Sequence, residues 1–272
     1  MLRSDNAGWR ARIGVITPHF DPVPESECWA LAPTGVSVHS VRAPLGLVDQ
    51  NGNTSQRGFP DAARAFAEGP HLEAAAALLA ALVPRVVIYC YTSSSYVSGS
   101  AGELVLRERL ERRTQCRSIV IAAEATRLAL TKVGARRITL VHPPWFNADA
   151  DRAGAEYYRA AGFEVVFHAS TPLRADFGEV HPGELYEWVR VNTPDTAEAV
   201  LIAGNGLRAV GIIATLEEDI GRPVITANQA AFWHALRLAR VNARVDGYGR
   251  LFDADKSGEG ITELGSVAKF SG

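Results

Sequence analysis

Four adjacent hydroxyl side chains directly follow a short apolar segment, residues 85–91, whose composition is typical of a β-strand. This hydroxyl cluster consists of Thr92, Ser93, Ser94 and Ser95. Hydroxyl and backbone N–H groups at the carboxyl end of a strand form an anion site in many α/β proteins. An enediolate formed from a bound carboxylate would accept those hydrogen bonds more strongly than the carboxylate itself. We therefore predict that the cluster binds a small carboxylate, with a serine-rich helix cap as the alternative.

A second apolar segment, residues 199–203, ends in the polar loop Gly204-Asn205-Gly206. Glycine lets the backbone approach a ligand closely, and the Asn205 side chain adds an amide. Arg208, a little further along the chain, could pair with a carboxylate through two parallel hydrogen bonds. Asn205, Gly206 and Arg208 are therefore predicted substrate contacts. The alternative is a glycine turn that leads into a helix with an exposed arginine.

Further candidates stand at the ends of other predicted strands. Tyr91 borders the hydroxyl cluster and could donate a phenolic proton, although tyrosines at strand ends often only pack. His142 precedes two prolines and titrates near neutral pH, which suits it to acid–base chemistry. Pro18 ends the first strand in a matching context, so we predict a substrate contact there. Asn228 opens a helix, where it is either an N-cap or a ligand contact.

The composition restricts the function further. A net charge of −2 without a basic run argues against nucleic acid as a partner. No segment approaches the roughly 18 apolar residues of a membrane helix, and the amino terminus lacks a signal peptide's apolar core. The three cysteines show no metal-ligand spacing, so we expect a cytoplasmic protein without disulfides or a metal site. Dinucleotide, P-loop, zincin and nucleophile-elbow motifs are missing from the sequence, which predicts no cofactor. The sequence leaves open whether the chain forms a homo-oligomer.

Short β-type runs alternate with longer helical stretches, and this alternation predicts an α/β fold with mainly parallel sheets. The predicted strands cover residues 12–17, 36–42, 85–91, 118–122, 137–141, 164–167, 199–203 and 223–226. The predicted helices cover residues 61–82, 102–113, 123–133, 148–161, 182–191, 207–220 and 229–241. The tail from Asp253 is rich in glycine, serine and charge, and we expect it to be loose.

Two strand ends are alike: Thr-Pro-His-Phe at residues 17–20 resembles His-Pro-Pro-Trp-Phe at residues 142–146. The hydroxyl cluster follows the first of them and the Gly-Asn-Gly loop follows the second. We therefore predict two pseudo-symmetric lobes with the active site between them. Lobe one comprises residues 1–116 and 227–272, and lobe two comprises residues 117–226.

These segments together resemble the aspartate/glutamate racemase superfamily, in its branch of maleate cis-trans isomerases and arylmalonate decarboxylases. The resemblance spans roughly residues 12–252. It rests on the Tyr-Thr-Ser-Ser-Ser loop, the Val-His-Pro-Pro-Trp turn, residues 201–208, the segment Gly-Arg-Pro-Val-Ile-Thr-Ala-Asn-Gln and the closing Gly-Tyr-Gly-Arg-Leu-Phe. It implies two α/β lobes with a small carboxylate substrate between them and no cofactor.

The resemblance also implies roles for single residues. Thr92 and Ser93 would hold a substrate carboxylate. Active members carry a catalytic cysteine on one or both facing loops, at positions that here hold Tyr91 and Gly204. Cys90 lies one residue early, on a strand that turns its side chain to the opposite face, although a one-residue bulge would restore it as a nucleophile.

These departures weigh against thiol-dependent isomerisation more than against decarboxylation. Decarboxylation needs hydrogen-bond donors for the enediolate and a single proton donor, for which Tyr91, Tyr96 and His142 are candidates. We predict a cofactor-independent lyase or isomerase that acts on a small carboxylate through an enolate-like intermediate. A hydrolase and an inactive carboxylate-binding protein are the alternatives.

Overall fold

The computed structural model describes residues 5–45, 58–173 and 178–253, which form an α/β fold with two parallel sheets. The first sheet has the strand order β2-β1-β3-β4 and the second has the order β6-β5-β7-β8. The strands are β1 (Ala11–Pro18), β2 (Val36–Ala43), β3 (Val86–Tyr89), β4 (Ile119–Ile121), β5 (Arg137–His142), β6 (Glu164–Ser170), β7 (Ala199–Ile202) and β8 (Val224–Thr226). The predicted fold class of two pseudo-symmetric α/β lobes is confirmed.

Two of the central strands, β3 and β7, are buried along their whole length. Every residue of β3 and of β7 is buried, and both consist mainly of valine, leucine and isoleucine. Such continuous apolar runs are typical of parallel strands that are covered on both faces. This explains why these two strands were predictable from composition. β1 and β5 occupy equivalent places in the two sheets, as the similarity of their carboxyl ends predicts.

Ten α-helices and one 3₁₀ turn surround the sheets within the described part of the chain. They are α1 (Val23–Leu31), α2 (Asp61–Glu68), α3 (Pro70–Ala80), α4 (Thr92–Thr114), α5 (Ala122–Lys132), α6 (Ala148–Ala160), α7 (Pro182–Asn192), the 3₁₀ turn (Val210–Ile212), α8 (Ile213–Ile220), α9 (Ala227–Leu238) and α10 (Arg250–Asp253).

Three predicted helices require correction: those over residues 61–82, 102–113 and 207–220, the last of which starts as a 3₁₀ turn at Val210 and becomes α8 at Ile213. The predicted helix over residues 61–82 is divided into α2 and α3, because Gly69 is extended and Pro70 cannot continue the helix before it. Helix α1 was not predicted. Helix α4 begins at Thr92 rather than at Gly102, and Gly99, with a φ of 61°, interrupts it. The tail after Asp253 lies outside the described residues.

Helices α5 and α9 pack against each other and against strands of both sheets. Helix α9 follows β8 of the second sheet yet packs against β3 and β4 of the first, and α5 follows β4 yet reaches β8. Strand β4, which ends at Ile121, belongs to the first sheet, five residues beyond the predicted lobe boundary at residue 116. No helix in the described ranges is long and apolar enough to cross a membrane.

Candidate active site

The hydroxyl cluster forms the first turn of α4 instead of a loop. All four side chains are buried at the lobe-one edge where β3 ends. The hydroxyl of Tyr89 is 2.6 Å from Ser94 Oγ, which donates to the carbonyl of Tyr91 at 3.1 Å, so Ser94 is engaged within its own lobe. Ser95 Oγ is buried and finds no hydrogen-bond partner in the described part of the chain. The cluster thus combines hydroxyls with the backbone N–H groups of a helix N-terminus.

Tyr91 immediately precedes α4 and is half-buried. Its ring centroid lies 4.7 Å from that of Phe66. Burial raises the pKa of Tyr91 to about 12, although a hydrogen bond to Ser93 lowers it in part. The phenol therefore stays protonated through neutral pH and remains a proton donor at the edge of the cluster.

Cys90 lies in the core instead of in the site. The side chain is fully buried, and burial raises the pKa of its thiol well above the ordinary value. The backbone N–H of Cys90 donates to the carbonyl of Ile16 at 2.9 Å, and β3 pairs with β1 without a break in register. The bulge that would bring Cys90 to the site is therefore absent from this strand.

His142 is directed into its own lobe. It is fully buried, and its Nδ1 is 2.7 Å from Asp151 Oδ1, while His168 Nδ1 is 2.6 Å from the other oxygen of that carboxylate. Burial lowers the pKa of His142, and Asp151 opposes this shift. On its other side the ring packs so closely on Gly154 that a Cβ there would lie 2.4 Å from Nε2. Neither Asp151 nor His168 was predicted, because the three residues come from separate elements without a common spacing.

The Gly204-Asn205-Gly206 loop has no room for a side chain at its first position. Gly204 has a φ of +87°, and a Cβ there would lie 2.7 Å from Cγ of Pro143. The resemblance places a catalytic cysteine here, but the backbone conformation and Pro143 both oppose one. Gly206 is buried in the same loop. Arg208 is exposed and donates to the carbonyl of Val180 at 3.0 Å, so its predicted role as a free carboxylate ligand is not supported.

Asn205 and Asn228 connect the loop to α4 across the two lobes. The backbone N–H of Thr92 donates to Asn205 Oδ1 at 3.3 Å, and Asn205 Nδ2 donates to Asn228 Oδ1 at 2.7 Å. Asn228 Nδ2 donates to the Asn205 carbonyl at 2.8 Å and to Glu27 Oε2 at 2.7 Å. Both asparagines are buried, so the predicted substrate contacts form a hydrogen-bonded network at the lobe interface.

Pro18 lies at the same sheet edge as the hydroxyl cluster. It is buried and stands two residues beyond Ile16, which pairs with Tyr89. The residues that follow it are engaged elsewhere: His19 Nδ1 accepts from the Leu45 N–H at 3.3 Å, and Glu25 forms an ion pair with Arg42 at 2.9 Å. The carboxyl ends of β1, β3 and β7 thus supply Pro18, the hydroxyl cluster and the Asn205 loop.

Two parallel sheets with equivalent strand orders, and two helices that pack against both sheets, define the class of two-lobed α/β proteins with the aspartate/glutamate racemase-like fold. The profile of the arylmalonate decarboxylase family matches residues 67–252, and the chain belongs to that family. Its sequence is 41% identical over 61 residues to the arylmalonate decarboxylase of Bordetella bronchiseptica, a segment that covers 22% of this chain and 25% of that protein.

Solved structures of related proteins share the fold. An arylmalonate decarboxylase crystal structure has a TM-score of 0.70 at 24% identity and covers 89% of this chain and 99% of its own. A cysteine-to-serine mutant of the Nocardia farcinica maleate cis-trans isomerase, with a covalently bound succinylcysteine intermediate, has a TM-score of 0.74 at 22% identity. That match covers 89% of this chain and 98% of the isomerase. The chain therefore shares its fold with both decarboxylases and isomerases.

Proposed function

We propose that this protein is a cofactor-independent lyase that decarboxylates a malonate-type dicarboxylate through an enediolate. The observation that supports this most is the chemistry of the facing strand ends. A buried hydroxyl cluster at the N-terminus of α4 lies across from the Asn205 loop, with a protonated phenol at its edge and no thiol. Donors of this kind stabilise an enediolate more than the carboxylate from which it forms.

Decarboxylation is favoured over isomerisation because of the cysteines. The N. farcinica isomerase structure holds a covalent succinylcysteine, which a chain can form only with a reachable thiol. The three cysteines of this chain, Cys28, Cys90 and Cys116, are all buried, and burial raises the pKa of each. A thiolate at the site is therefore not expected.

The proposed reaction assigns one role to each group. The hydroxyls of Thr92 and Ser93, with the backbone N–H groups of Ser93 and Ser94 in the first turn of α4, hold the carboxylate that remains. The bond to the other carboxylate breaks, CO₂ leaves, and the electron pair becomes the enediolate. Tyr91 then delivers its phenolic proton to the α-carbon and recovers a proton from water. With a pKa of about 12, the phenol is protonated at neutral pH and is still far more acidic than the carbon acid it creates.

Carboxylate binding without catalysis is the second candidate function. The hydroxyls of the cluster and the N-terminus of α4 would hold a carboxylate whether or not a bond of the ligand then breaks. Hydrolysis is not proposed, because Glu25, His19 and His142 are each engaged with another residue and do not form a site for a nucleophilic water.

Proton NMR in D₂O tests the proposal. The protein is incubated with aryl- and alkylmalonates, maleate and α-substituted carboxylic acids, and binding is followed by calorimetry on the same samples. Loss of CO₂ from a malonate, with one deuteron at the α-carbon of the product, is the expected result. Binding without turnover of any malonate would contradict the lyase and favour the second candidate. Conversion of maleate to fumarate would contradict the argument from the buried cysteines.

A further inference from the structure

The carboxylate of Glu27 is buried on α1 and has no role in the reaction proposed above. Its Oε1 accepts from the backbone N–H groups of Ala209 and Val210, at 2.6 and 2.9 Å. Its Oε2 accepts from Asn228 Nδ2 at 2.7 Å. Since Ala209 and Val210 follow the Asn205 loop and Asn228 begins α9, a single carboxylate connects three segments distant in sequence.

In the series of hydrogen bonds from Thr92 through Asn205 and Asn228 to Glu27, each group donates towards Glu27. An ionised carboxylate only accepts, so Asn228 must turn its NH₂ group towards Glu27 and its Oδ1 towards Asn205. Asn205 must then present Nδ2 to Asn228 and Oδ1 to the N–H of Thr92, as the structure shows. The orientation of both amides therefore follows from the chemistry of Glu27, not from a choice between nitrogen and oxygen positions.

We propose that Glu27 is a positioning residue: through Asn228 it orients the Asn205 side chain and backbone opposite the hydroxyl cluster. The inference rests on the proposed function only for its effect on turnover. Asn228 also donates to the Asn205 carbonyl at 2.8 Å, so the same contact fixes the loop backbone relative to α4. Small displacements of groups that bind a reacting carboxylate are costly for the rate.

The variant Glu27→Gln tests this because it changes one acceptor oxygen into a donor. If its Oε1 still accepts from Ala209 and Val210, its NH₂ group faces the NH₂ group of Asn228. Asn228 must turn over, and Asn205 must then direct Nδ2 at the N–H of Thr92. Two donors cannot bond each other, so the contact between the loop and α4 is lost.

Two further variants provide the controls. Glu25→Gln removes the same charge from the same helix, but Glu25 is a partly exposed ion-pair partner of Arg42, outside the network. The double variant with Glu27→Gln and Asn228→Asp moves the carboxylate one place along the chain of hydrogen bonds. The carboxylate introduced on α9 accepts from both neighbours, so the original orientation of Asn205 returns, although the donor to the Asn205 carbonyl is lost.

The measurement is ¹H–¹⁵N NMR of the Thr92 backbone amide and the Asn205 side-chain amide at pH 8.5, together with kcat/KM for the best malonate. We expect both signals to move in Glu27→Gln and kcat/KM to fall on the order of tenfold. Glu25→Gln should leave the two signals and kcat/KM unchanged. The double variant should restore the signals and kcat/KM part of the way to their native values. If Glu27→Gln does not fold, Asn228→Ala, which leaves Glu27 bonded to Ala209 and Val210, gives the same readout.

Unchanged Thr92 and Asn205 signals in a folded Glu27→Gln would overturn the inference, as would a double variant no closer to the native spectrum. The spectra do not require turnover. If the native protein is inactive on every acid while the signals move as expected, the proposed function fails and the positioning role stands.

The native protein offers one more readout. Burial and the nearby Asp21 raise the pKa of Glu27 to about 7, while its three donors lower it in part. Cys28 on the same helix and Cys90 at the end of β3 are the other titratable neighbours, and both stay protonated in this range. The Thr92 and Asn205 signals should therefore titrate near pH 7 in the native protein and lose that step in Glu27→Gln. A step of unchanged size in the variant would contradict the role of Glu27.

Discussion

Burial separates Tyr91 from the other candidate proton donors, Tyr96 and His142, and from Cys90, since all three of these side chains are buried. Cys90 and His142 are fully enclosed, and His142 already shares Asp151 with His168. Tyr91 is half-buried beside the hydroxyl cluster, and its ring packs on Phe66. The least buried of these acids is therefore the residue that occupies the position where relatives are expected to carry a cysteine.

Replacement of Tyr91 by phenylalanine removes this acid and keeps the ring that packs on Phe66. If Tyr91 delivers the proton, kcat should fall about 100-fold while KM changes little, because general acid catalysis contributes about 10²–10⁴-fold. Steady-state kinetics on the best malonate measure both constants. Tyr186→Phe, which removes an exposed hydroxyl on α7 that is bonded to Asp219 of α8, serves as the control. A Tyr91→Phe enzyme with native kcat would show that another group supplies the proton.

The thiols should be dispensable. Cys90→Ala should retain native kcat/KM and lose about 1 kcal/mol of stability through the buried volume it removes. Alkylation by iodoacetamide at pH 7.5 should be slow for all three cysteines until the protein unfolds, since each is a buried thiol of raised pKa. Rapid labelling that parallels loss of activity would point to a reachable catalytic cysteine.

At the scale of single elements, the sequence predicts strands better than helix ends. β3 and β7 are recognisable because the residues of a buried parallel strand are nearly all apolar. The start of α4 at Thr92 is not, since four hydroxyl residues are more typical of a loop than of a helix. Helix α1 begins among the prolines at positions 22 and 24, which also favour loops.

The sequence predicts which residue types lie at the candidate site, but it predicts the directions of their side chains only in part. Strand ends identified the hydroxyl cluster and the Asn205 loop, because parallel strands bring their carboxyl ends to one edge. The direction of each side chain depends on tertiary contacts that no spacing encodes. Arg208 bonds to the carbonyl of Val180, His142 is directed at Asp151, and Glu27 reaches Asn228 from a position 201 residues earlier.

The loop after β7 should tolerate no side chain at its first position. Gly204→Ala is expected to destabilise the protein by about 1–3 kcal/mol, because the left-handed backbone and the contact with Pro143 both oppose a Cβ. Chemical denaturation measures the change. Gly211→Ala is the control, since no atom lies within 4 Å of its added Cβ and its φ is not positive. Equal stability of the two variants would show that the loop relaxes around the new side chain.

At the scale of the whole molecule, two buried carboxyl groups should make stability depend on pH. Burial raises the pKa of Asp21 to about 6 and that of Glu27 to about 7. The folded state therefore holds these protons more tightly than the unfolded chain. Their contribution to the free energy of unfolding is complete below about pH 4 and is lost as the pH rises through about 7.

Glu27→Gln isolates one of these contributions. Between about pH 4.5 and pH 8, the native protein should lose up to about 3 kcal/mol more stability than the variant, because one pKa unit corresponds to about 1.4 kcal/mol. Urea denaturation at both pH values measures the difference. Groups with a lowered pKa, such as Asp151 and Glu198, act in the opposite direction but are common to both proteins. Parallel pH profiles would mean that Glu27 titrates at its ordinary pKa in the folded protein.

The packing of α9 against the first sheet has a consequence for folding during synthesis. During synthesis the first sheet leaves the ribosome long before α9, the helix that packs on β3 and β4. Until residue 238 has emerged, the apolar surface that α9 covers stays exposed, and the amino-terminal half is an incomplete folding unit. The two halves therefore cannot fold one after the other as they are synthesised. A fragment that ends after β4 should remain unfolded or aggregate.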